Sequence, residues 1–447
     1  MTQPRANTFG DIRSIVLGAP SWSAWVTLLE SLRAWPDKGS LEHEVLPYVR
    51  SHIDRWPDEA RALPRRWAYD LGTEALPGLD LVRTLEWPTS LKLLDRMGAV
   101  AEIHQMPLKR LRLSWQDLRG DDVERLMNIG LPPGLEELDL SNNALLGDDV
   151  LRMLSRGDAM FTRLKLSNNP LTQAPSAPEE LSLRGFARIT HLELSNIGSV
   201  AELRLLALCR ALEGIRSLDV SRNALTGPFL ARLFEALPAK LESLNFSTRA
   251  PLLSMGVHHS VDSRTLETVV EHPGAAGLRS LNVNNHVLGD DGLAQLLGGS
   301  SMRRLTHLSV SNTNLSTRAG ALFAQRDPAR PPLTSLHLAR NALHDDGVKA
   351  LLEAPTCAHL EHLSLRGTRM TLGALDALFD APCWGTLRRL ELNANALGDE
   401  GARRLARTPP PPRCTALHLT STRMGTDGLR ALLGSPWLDQ LEDLRVS

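Results

Sequence analysis

The chain has 447 residues, of which 42% are hydrophobic and 23% are charged. This is the balance of an ordinary globular protein and argues against a mostly disordered chain. Because 50 basic side chains face 51 acidic ones, the net charge is -1, which gives no overall field for holding nucleic acid or an anionic membrane.

The sequence contains few features that indicate a cellular compartment. The sequence has no run of about 18 apolar residues, so no membrane span is predicted, and the first ten residues lack the basic and apolar regions of a secretory signal. The cysteines are far apart, without a CxxC pair: Cys209, Cys357, Cys383 and Cys414. We therefore expect buried free thiols in a reducing, cytoplasmic compartment. Only six of the 50 basic residues are Lys, as is typical of a GC-rich bacterial genome.

Residues 1–105 are rich in tryptophan and have a helical pattern. This segment holds six of the nine tryptophans, namely Trp22, Trp25, Trp35, Trp56, Trp67 and Trp87. Three of them precede proline, which disfavours helix before it and suits a helix start. We predict a small all-helical N-terminal cap. Its aromatic residues either form a core packed on the adjoining part of the chain or provide a second binding surface.

From residue 108 onward one pattern, L-x-x-L-x-L-x-x-N-x-L, recurs. Copies begin at residues 108, 135, 161, 189, 215, 241, 278, 305, 333, 360, 387, 414 and 441. The spacing is 26 to 28 residues except for one interval of 37. The alternating leucines predict a short strand with the leucine side chains turned inward.

The ninth position of each copy is expected to close the turn after the strand. An amide at this position can bond the backbone of its own turn and of neighbouring coils. We predict a structural ladder of Asn143, Asn169, Asn223, Asn341 and Asn395. Thr313, Thr368 and Thr422 are smaller polar substitutes, and Ile197 and Arg249 break the rule.

The second half of each copy is helical, as in Leu-Gly-Asp-Asp-Gly from Leu288 and Leu-Gly-Asp-Glu-Gly from Leu397. The acidic residues are expected to cap the N-terminus of their own helix. The motif and its period resemble the ribonuclease-inhibitor-like subclass of leucine-rich repeats, which also includes repeats of the Ran GTPase-activating protein and of NOD-like receptors. The resemblance implies an α/β solenoid, a horseshoe with a parallel concave sheet and convex helices, over residues 106–447.

Outward side chains of this sheet occupy the third, fifth, seventh and eighth positions. Since Trp and Arg dominate binding hot spots, we predict that a protein or peptide partner is bound by Trp115, Arg222, Asn285, His307, His337, Arg340, His362 and Arg366. The histidines lack evident carboxylate or Cys partners for zinc, so a solvated polar face is favoured over a metal or pH-sensitive site. His258, His259 and Asp262, in the long copy, are interpreted as a solvated or partner-contacting loop.

The sequence predicts a non-catalytic interaction scaffold without cofactor, metal, nucleic acid or membrane. It has neither a G-x-x-x-x-G-K-[ST] loop nor a G-x-S-x-G elbow. Two alternatives come from the resemblance alone: activation of a small GTPase, and a defence or sensor role. A monomer is expected. The last predicted strand, near Leu441, has no following helix and either remains a harmless short edge or pairs with something.

Overall fold

A computed structural model describes residues 8–89, 92, 93, 96–155, 161–171, 188–197, 214–223, 240–248, 269–327 and 330–446, with residues 225, 230, 232, 233, 235 and 266. The chain forms two compact units, Met1–Ala201 and Glu202–Ser447. The Arg249 position and the His258, His259 and Asp262 loop lie outside the described residues, as does Cys209.

The first unit begins with helices. These are α1 (Phe9–Leu17), α2 (Trp22–Arg33), α3 (Lys38–Ser40), a π-helical turn (Leu41–Val45), α4 (Leu46–Ile53) and 3₁₀ turns at Asp58–Ala60, Arg65–Tyr69 and Leu79–Leu81. Thr8 and Asp11 form a capping box at α1, and Ser21 caps α2, satisfying backbone N–H groups that lack helical partners.

Most tryptophans of this segment belong to its core. Trp25, Trp56, Trp67 and Trp87 are at most 2% exposed. The indole N–H of Trp25 donates to the Ala62 carbonyl at 2.7 Å, so burial leaves its polar atom bonded. Trp22, in contrast, is 52% exposed.

The repeats of the first unit form a parallel sheet. Its strands and helices are β1 (Thr84–Glu86), α5 (Met97–Gln105), β2 (Arg110–Arg112), α6 (Gly120–Ile129), β3 (Glu137–Asp139), α7 (Gly147–Ser155), β4 (Arg163–Lys165) and β5 (His191–Glu193). Successive strands pair in register through their middle leucines.

Strand β1 corrects the expectation of an all-helical cap. It pairs with β2 and belongs to a further copy in which Val82, Leu85 and Trp87 fill the three buried positions. Val and Trp stand where most other copies have leucine, and Pro88 follows. The leucine pattern therefore missed this copy, although the helices before it are present as predicted. The boundary at 105/106 remains a prediction.

The second unit repeats strand, turn and helix. Its elements are β6 (Ser217–Asp219), β7 (Ser243–Asn245), β8 (Ser280–Asn282), α8 (Gly289–Gly298), β9 (His307–Ser309), α9 (Arg318–Ala324), β10 (Ser335–His337), α10 (His344–Leu352), β11 (His362–Ser364), α11 (Leu372–Phe379), β12 (Arg389–Glu391), α12 (Gly398–Arg407), β13 (Ala416–His418), α13 (Thr426–Leu433) and β14 (Asp443–Arg445). Short 3₁₀ turns precede several strands: Pro273–Ala275, Ser300–Met302, Pro355–Cys357, Pro382–Thr386 and Pro436–Asp439. All nine strands pair in parallel with their sequence neighbours.

The ninth-position amides bond each coil to the one before it. Asn341 accepts from the backbone N–H groups of Thr313 (3.0 Å) and Leu315 (3.1 Å), and donates to the carbonyls of Val310 (2.8 Å) and Leu338 (3.0 Å). Asn143, Asn169 and Asn395 reach back in the same way.

Threonine at the ninth position makes a different set of bonds. Thr313 donates its hydroxyl proton to the carbonyl of Val310 in its own coil at 2.7 Å, as Thr368 and Thr422 do to Leu365 and Leu419. A β-hydroxyl is too short to span two coils, so asparagine is the residue that links neighbouring turns. The described Asn223 amide donates to the Val220 carbonyl, and Ile197 is a buried apolar substitute.

Two ninth-position residues other than Asn also bond the preceding coil. Gln116 donates its amide to the Pro88 carbonyl, 3.0 Å away in the preceding coil. His286, 2% exposed, has Nε2 at 2.9 Å from the Phe246 carbonyl, so Nε2 carries the proton and donates. Burial lowers the pKa of His286 below its usual 6.5.

Replacing His286 by Asn is expected to make stability less sensitive to acid. Because the pKa of His286 is lower in the folded protein than in the unfolded chain, the neutral imidazole contributes its full stability above the unfolded pKa near 6.5. This contribution is lost as the pH falls through the folded pKa. Thermal melts at pH 7.5 and 5.0 should show a smaller drop in melting temperature for His286→Asn than for the wild type. Equal drops in both proteins would contradict this assignment.

The acidic residues at the helix starts act within and between coils. Asp149 accepts from the N–H of Leu146 at the start of its own helix, as expected. In the second unit, the first of the two acidic residues at the start of α12 bonds the following coil instead. Asp399 accepts from the N–H groups of Gly425 (2.6 Å) and Gly428 (3.0 Å) at the N-terminus of α13. A Cβ at Gly428 would lie 2.6 Å from that carboxylate oxygen, so this approach requires glycine.

Removal of the Asp399 carboxylate should therefore remove the N-terminal cap of α13, the helix of the following coil. We expect Asp399→Ala to lower the free energy of unfolding by about 1–2 kcal/mol, measured by urea denaturation. Glu400→Ala is the matched control, since Glu400 bonds only Arg403 and Arg404 at the helix surface. A loss no larger than that of the control would show that the bonds from Asp399 contribute little.

Three described cysteines are buried and unpaired, as expected for inert thiols. Burial raises the pKa of Cys357 to about 12 and those of Cys383 and Cys414 to about 11. Their thiols are thus protonated near neutral pH and are poor nucleophiles.

Candidate functional site

The eighth position of the repeat is a turn with left-handed backbone. Positive φ is found there in eleven described copies: Trp115, Asn142, Asn168, Asn196, Arg222, Asn285, Asn312, Arg340, Gly367, Ala394 and Ser421. Asn and Gly adopt this conformation readily, whereas larger residues cost roughly 1–2 kcal/mol. Trp115, Arg222 and Arg340 are therefore held in unfavourable backbone geometry, which persists mainly where another contribution offsets it.

Trp115 is the most exposed large apolar side chain of the described residues, at 65%. Strands β2 to β5 beside it carry alternating charges. The Glu137 carboxylate lies 3.7 Å from Arg112 and 3.9 Å from Lys165, and Lys165 lies 2.9 Å from Glu193. These ion pairs leave the Trp115 indole as the large apolar group on this surface.

A groove of about 430 Å³ lies at the start of the same sheet. Its walls are formed by Trp22 and by two ion pairs, Arg65 with Glu86 and Arg110 with Glu59. Four other tryptophans of the N-terminal segment are buried and serve as core, whereas Trp22, Tyr69 and Phe9 are exposed.

In the second unit the predicted site residues fall into two groups. Arg222, Arg340 and Arg366 are exposed. Asn285 is engaged between coils, since its amide donates to the Thr248 carbonyl at 2.8 Å and accepts from Asn312 at 3.0 Å. Asn285 therefore links the turns of neighbouring coils, which is a structural role that the sequence did not indicate.

The three predicted histidines lie on adjacent strands. Ser335 on β10 pairs with His307 on β9 and with His362 on β11, and His337 is two residues further along β10. Burial lowers the pKa values of His337 and His362 below the usual 6.5, and the nearby cation Arg389 lowers both further. Both imidazoles are thus mainly neutral near pH 7. The described residues contain no cluster of three metal-ligating side chains.

His418 differs from the solvated face that its position suggested. It is 3% exposed, with Nε2 at 2.8 Å from Asp443 and Nδ1 at 3.6 Å from Glu391. Hydrogen bonds from Arg445 and His418 lower the pKa of Asp443 to about 2. Carboxylates on both flanking strands enclose the ring, and this pairing across strands was not visible in a single copy.

A family model described as "Leucine Rich repeat" matches residues 331–352 and 386–406, which contain β10 and β12. The pig ribonuclease inhibitor is 27% identical over 342 residues, covering 67% of this chain and 74% of the inhibitor. The chain has the leucine-rich repeat fold.

Other similarities agree with the repeat fold. The mouse Tonsoku-like protein is 30% identical over 249 residues, which is 52% of this chain but 16% of the relative. A chain in the crystal structure of the yeast Rad7 and Elc1 complex has a TM-score of 0.52 and 15% identity, with 94% of this chain and 96% of that chain covered. At this identity the structural match concerns the fold alone. None of the described helices is both long and apolar enough to cross a membrane.

Proposed function

We propose that this chain is a non-catalytic scaffold that binds a protein or peptide partner on its strand faces. Trp115 carries the proposal, because a 65% exposed indole is held at a turn where the neighbouring copies have Asn. Exposed Trp and Arg side chains are the groups that dominate hot spots. Ribonuclease inhibitor and the Rad7–Elc1 complex, whose names state inhibition and assembly, support this class of role.

The proposed partner is a protein rather than a nucleic acid, and the proposed location is the reducing cytoplasm. Mixed charges on strands β2 to β5 support the first point, since acidic and basic residues alternate there. The unpaired thiols of Cys357, Cys383 and Cys414 are compatible with the second.

Affinity capture from a native lysate tests the proposal with Trp115→Asn. Asn occupies the same turn in Asn142 and Asn168, so the variant should fold and gain about 1 kcal/mol of stability from relieved backbone strain. We expect the captured partner to be lost or strongly depleted while the melting temperature rises. Arg413→Ser, in an exposed turn before β13, is the control and should retain it. Equal recovery with all three proteins would contradict the assignment to this surface.

A further inference from the structure

The strand face of β10 to β14 has its carboxylates occupied. Glu391 accepts from the Ser364 hydroxyl at 2.9 Å and lies 3.7 Å from Arg389. Asp443 is bonded by His418 at 2.8 Å and by Arg445 at 3.0 Å and 3.1 Å. The negative charges of this face are thus neutralised by neighbouring cations.

Four arginines beside these strands lack such partners. Arg340, Arg366, Arg369 and Arg423 are exposed, and among the described residues none of their side chains makes an ion pair or hydrogen bond, in contrast to Arg389 and Arg445. We call these four residues the arginine rim. They lie in the turns that follow β10, β11 and β13, and Arg340, Arg369 and Arg423 all have positive φ.

The turns between these arginines carry small side chains. The eighth positions after β11, β12 and β13 hold Gly367, Ala394 and Ser421, and a Cβ built on Gly367 would lie 3.8 Å from the Arg340 side chain and 3.9 Å from that of Ala394. Small side chains flanked by long cationic ones leave room for a backbone to lie across the turns.

We propose, as a refinement that rests on the proposed function, that the arginine rim docks an extended acidic segment of the protein partner. Since strands are about 4.8 Å apart, the coils of Arg340 and Arg423, which are three coils apart, are separated by about 14 Å, the span of about four extended residues. Guanidinium groups bind carboxylates through paired, charge-assisted hydrogen bonds. Among the described residues from 214 onward, no Trp, Tyr or Phe side chain is strongly exposed, so the large rings on which single-stranded nucleic acid stacks its bases are not present there.

Fluorescence anisotropy with defined probes tests this docking on the full chain. The probes are a labelled ten-residue peptide of alternating Glu and Gly, its Lys counterpart, and a ten-nucleotide oligothymidine, all at 50 mM salt. The test variant is Arg340→Asn with Arg366→Ser. Asn stands at the eighth position in Asn285 and Asn312, and Ser at the seventh in Ser221 and Ser311, so both substitutions use residues that neighbouring coils already accommodate.

We expect the Glu peptide to bind the wild type and the double variant to bind it about tenfold or more weakly. Arg303→Ser with Arg413→Ser, which removes the same charge from exposed turns outside the rim, should bind as the wild type does. Equal affinity of wild type and test variant, no binding of the Glu peptide by the wild type, or tighter binding of oligothymidine would overturn the inference. If the test variant still captures a partner that Trp115→Asn loses, the rim is excluded while the proposed function stands.

Discussion

Replacing Asn341 by Ala is expected to lower the free energy of unfolding by about 4 kcal/mol, because its hydrogen bonds to four buried backbone groups are lost together. Two are N–H groups of the preceding coil, at Thr313 and Leu315, and two are the carbonyls of Val310 and Leu338. Asn341 is 2% exposed, so water does not easily replace the amide. Urea denaturation of wild type and variant measures the difference.

Asn341→Thr is the matched control for this prediction. Thr313 and Thr368 show that a hydroxyl at the ninth position still bonds the carbonyl of its own coil. We expect about three quarters of the loss seen with Ala, since the three contacts to the preceding coil disappear and the local one persists. A loss close to zero for Asn341→Thr would mean that the amide bonds between coils add little stability.

Trp437→Ala is expected to lower the free energy of unfolding by about 3–5 kcal/mol. The Trp437 side chain is fully buried, its indole N–H donates to the Leu405 carbonyl at 2.9 Å, and its ring meets Trp384 edge-on at 5.9 Å. Trp384 in turn contacts Phe379 at 5.2 Å. These aromatic contacts link the copy that begins at residue 360 to the copy that begins at residue 414, so truncation of Trp437 leaves a cavity in the latter.

Trp437→Phe separates the two contributions in the same denaturation experiment. It retains most of the ring packing and removes the N–H donor, so a loss of about 1–2 kcal/mol is expected. Leu433→Ala is a further control, because Leu433 is 49% exposed in α13. A Trp437→Ala loss as small as that of Leu433→Ala would contradict the packing role.

The repeat pattern predicted strands, turns and helices because each of these depends on residues within one copy. A middle leucine at a fixed spacing identifies every strand from β2 to β14, and the Asp-Asp-Gly motif marks helix starts. The first copy was missed because Val82 and Trp87 fill the buried positions equally well without being leucine. Burial tolerates such exchanges, whereas a leucine pattern does not.

Contacts between copies were harder to predict. The ring of His418 is enclosed by Asp443 and Glu391 from neighbouring strands, and Asp399 caps a helix one coil further on. Such pairs are separated by about one full repeat, so they become visible only when the strand register is known. For the candidate site, the exposed positions Trp115 and Arg340 followed from the period, while their left-handed backbone and the engagement of Asn285 required the three-dimensional structure.

Site-specific photocrosslinking tests the central claim, binding of a protein partner on the strand face, most directly. A photoreactive phenylalanine analogue would replace Trp115, and Arg413 in a control, in the full chain incubated with native lysate. Covalent adducts of one defined partner from position 115, absent from position 413, are the predicted result. Adducts from position 413 with none from position 115 would contradict the claim.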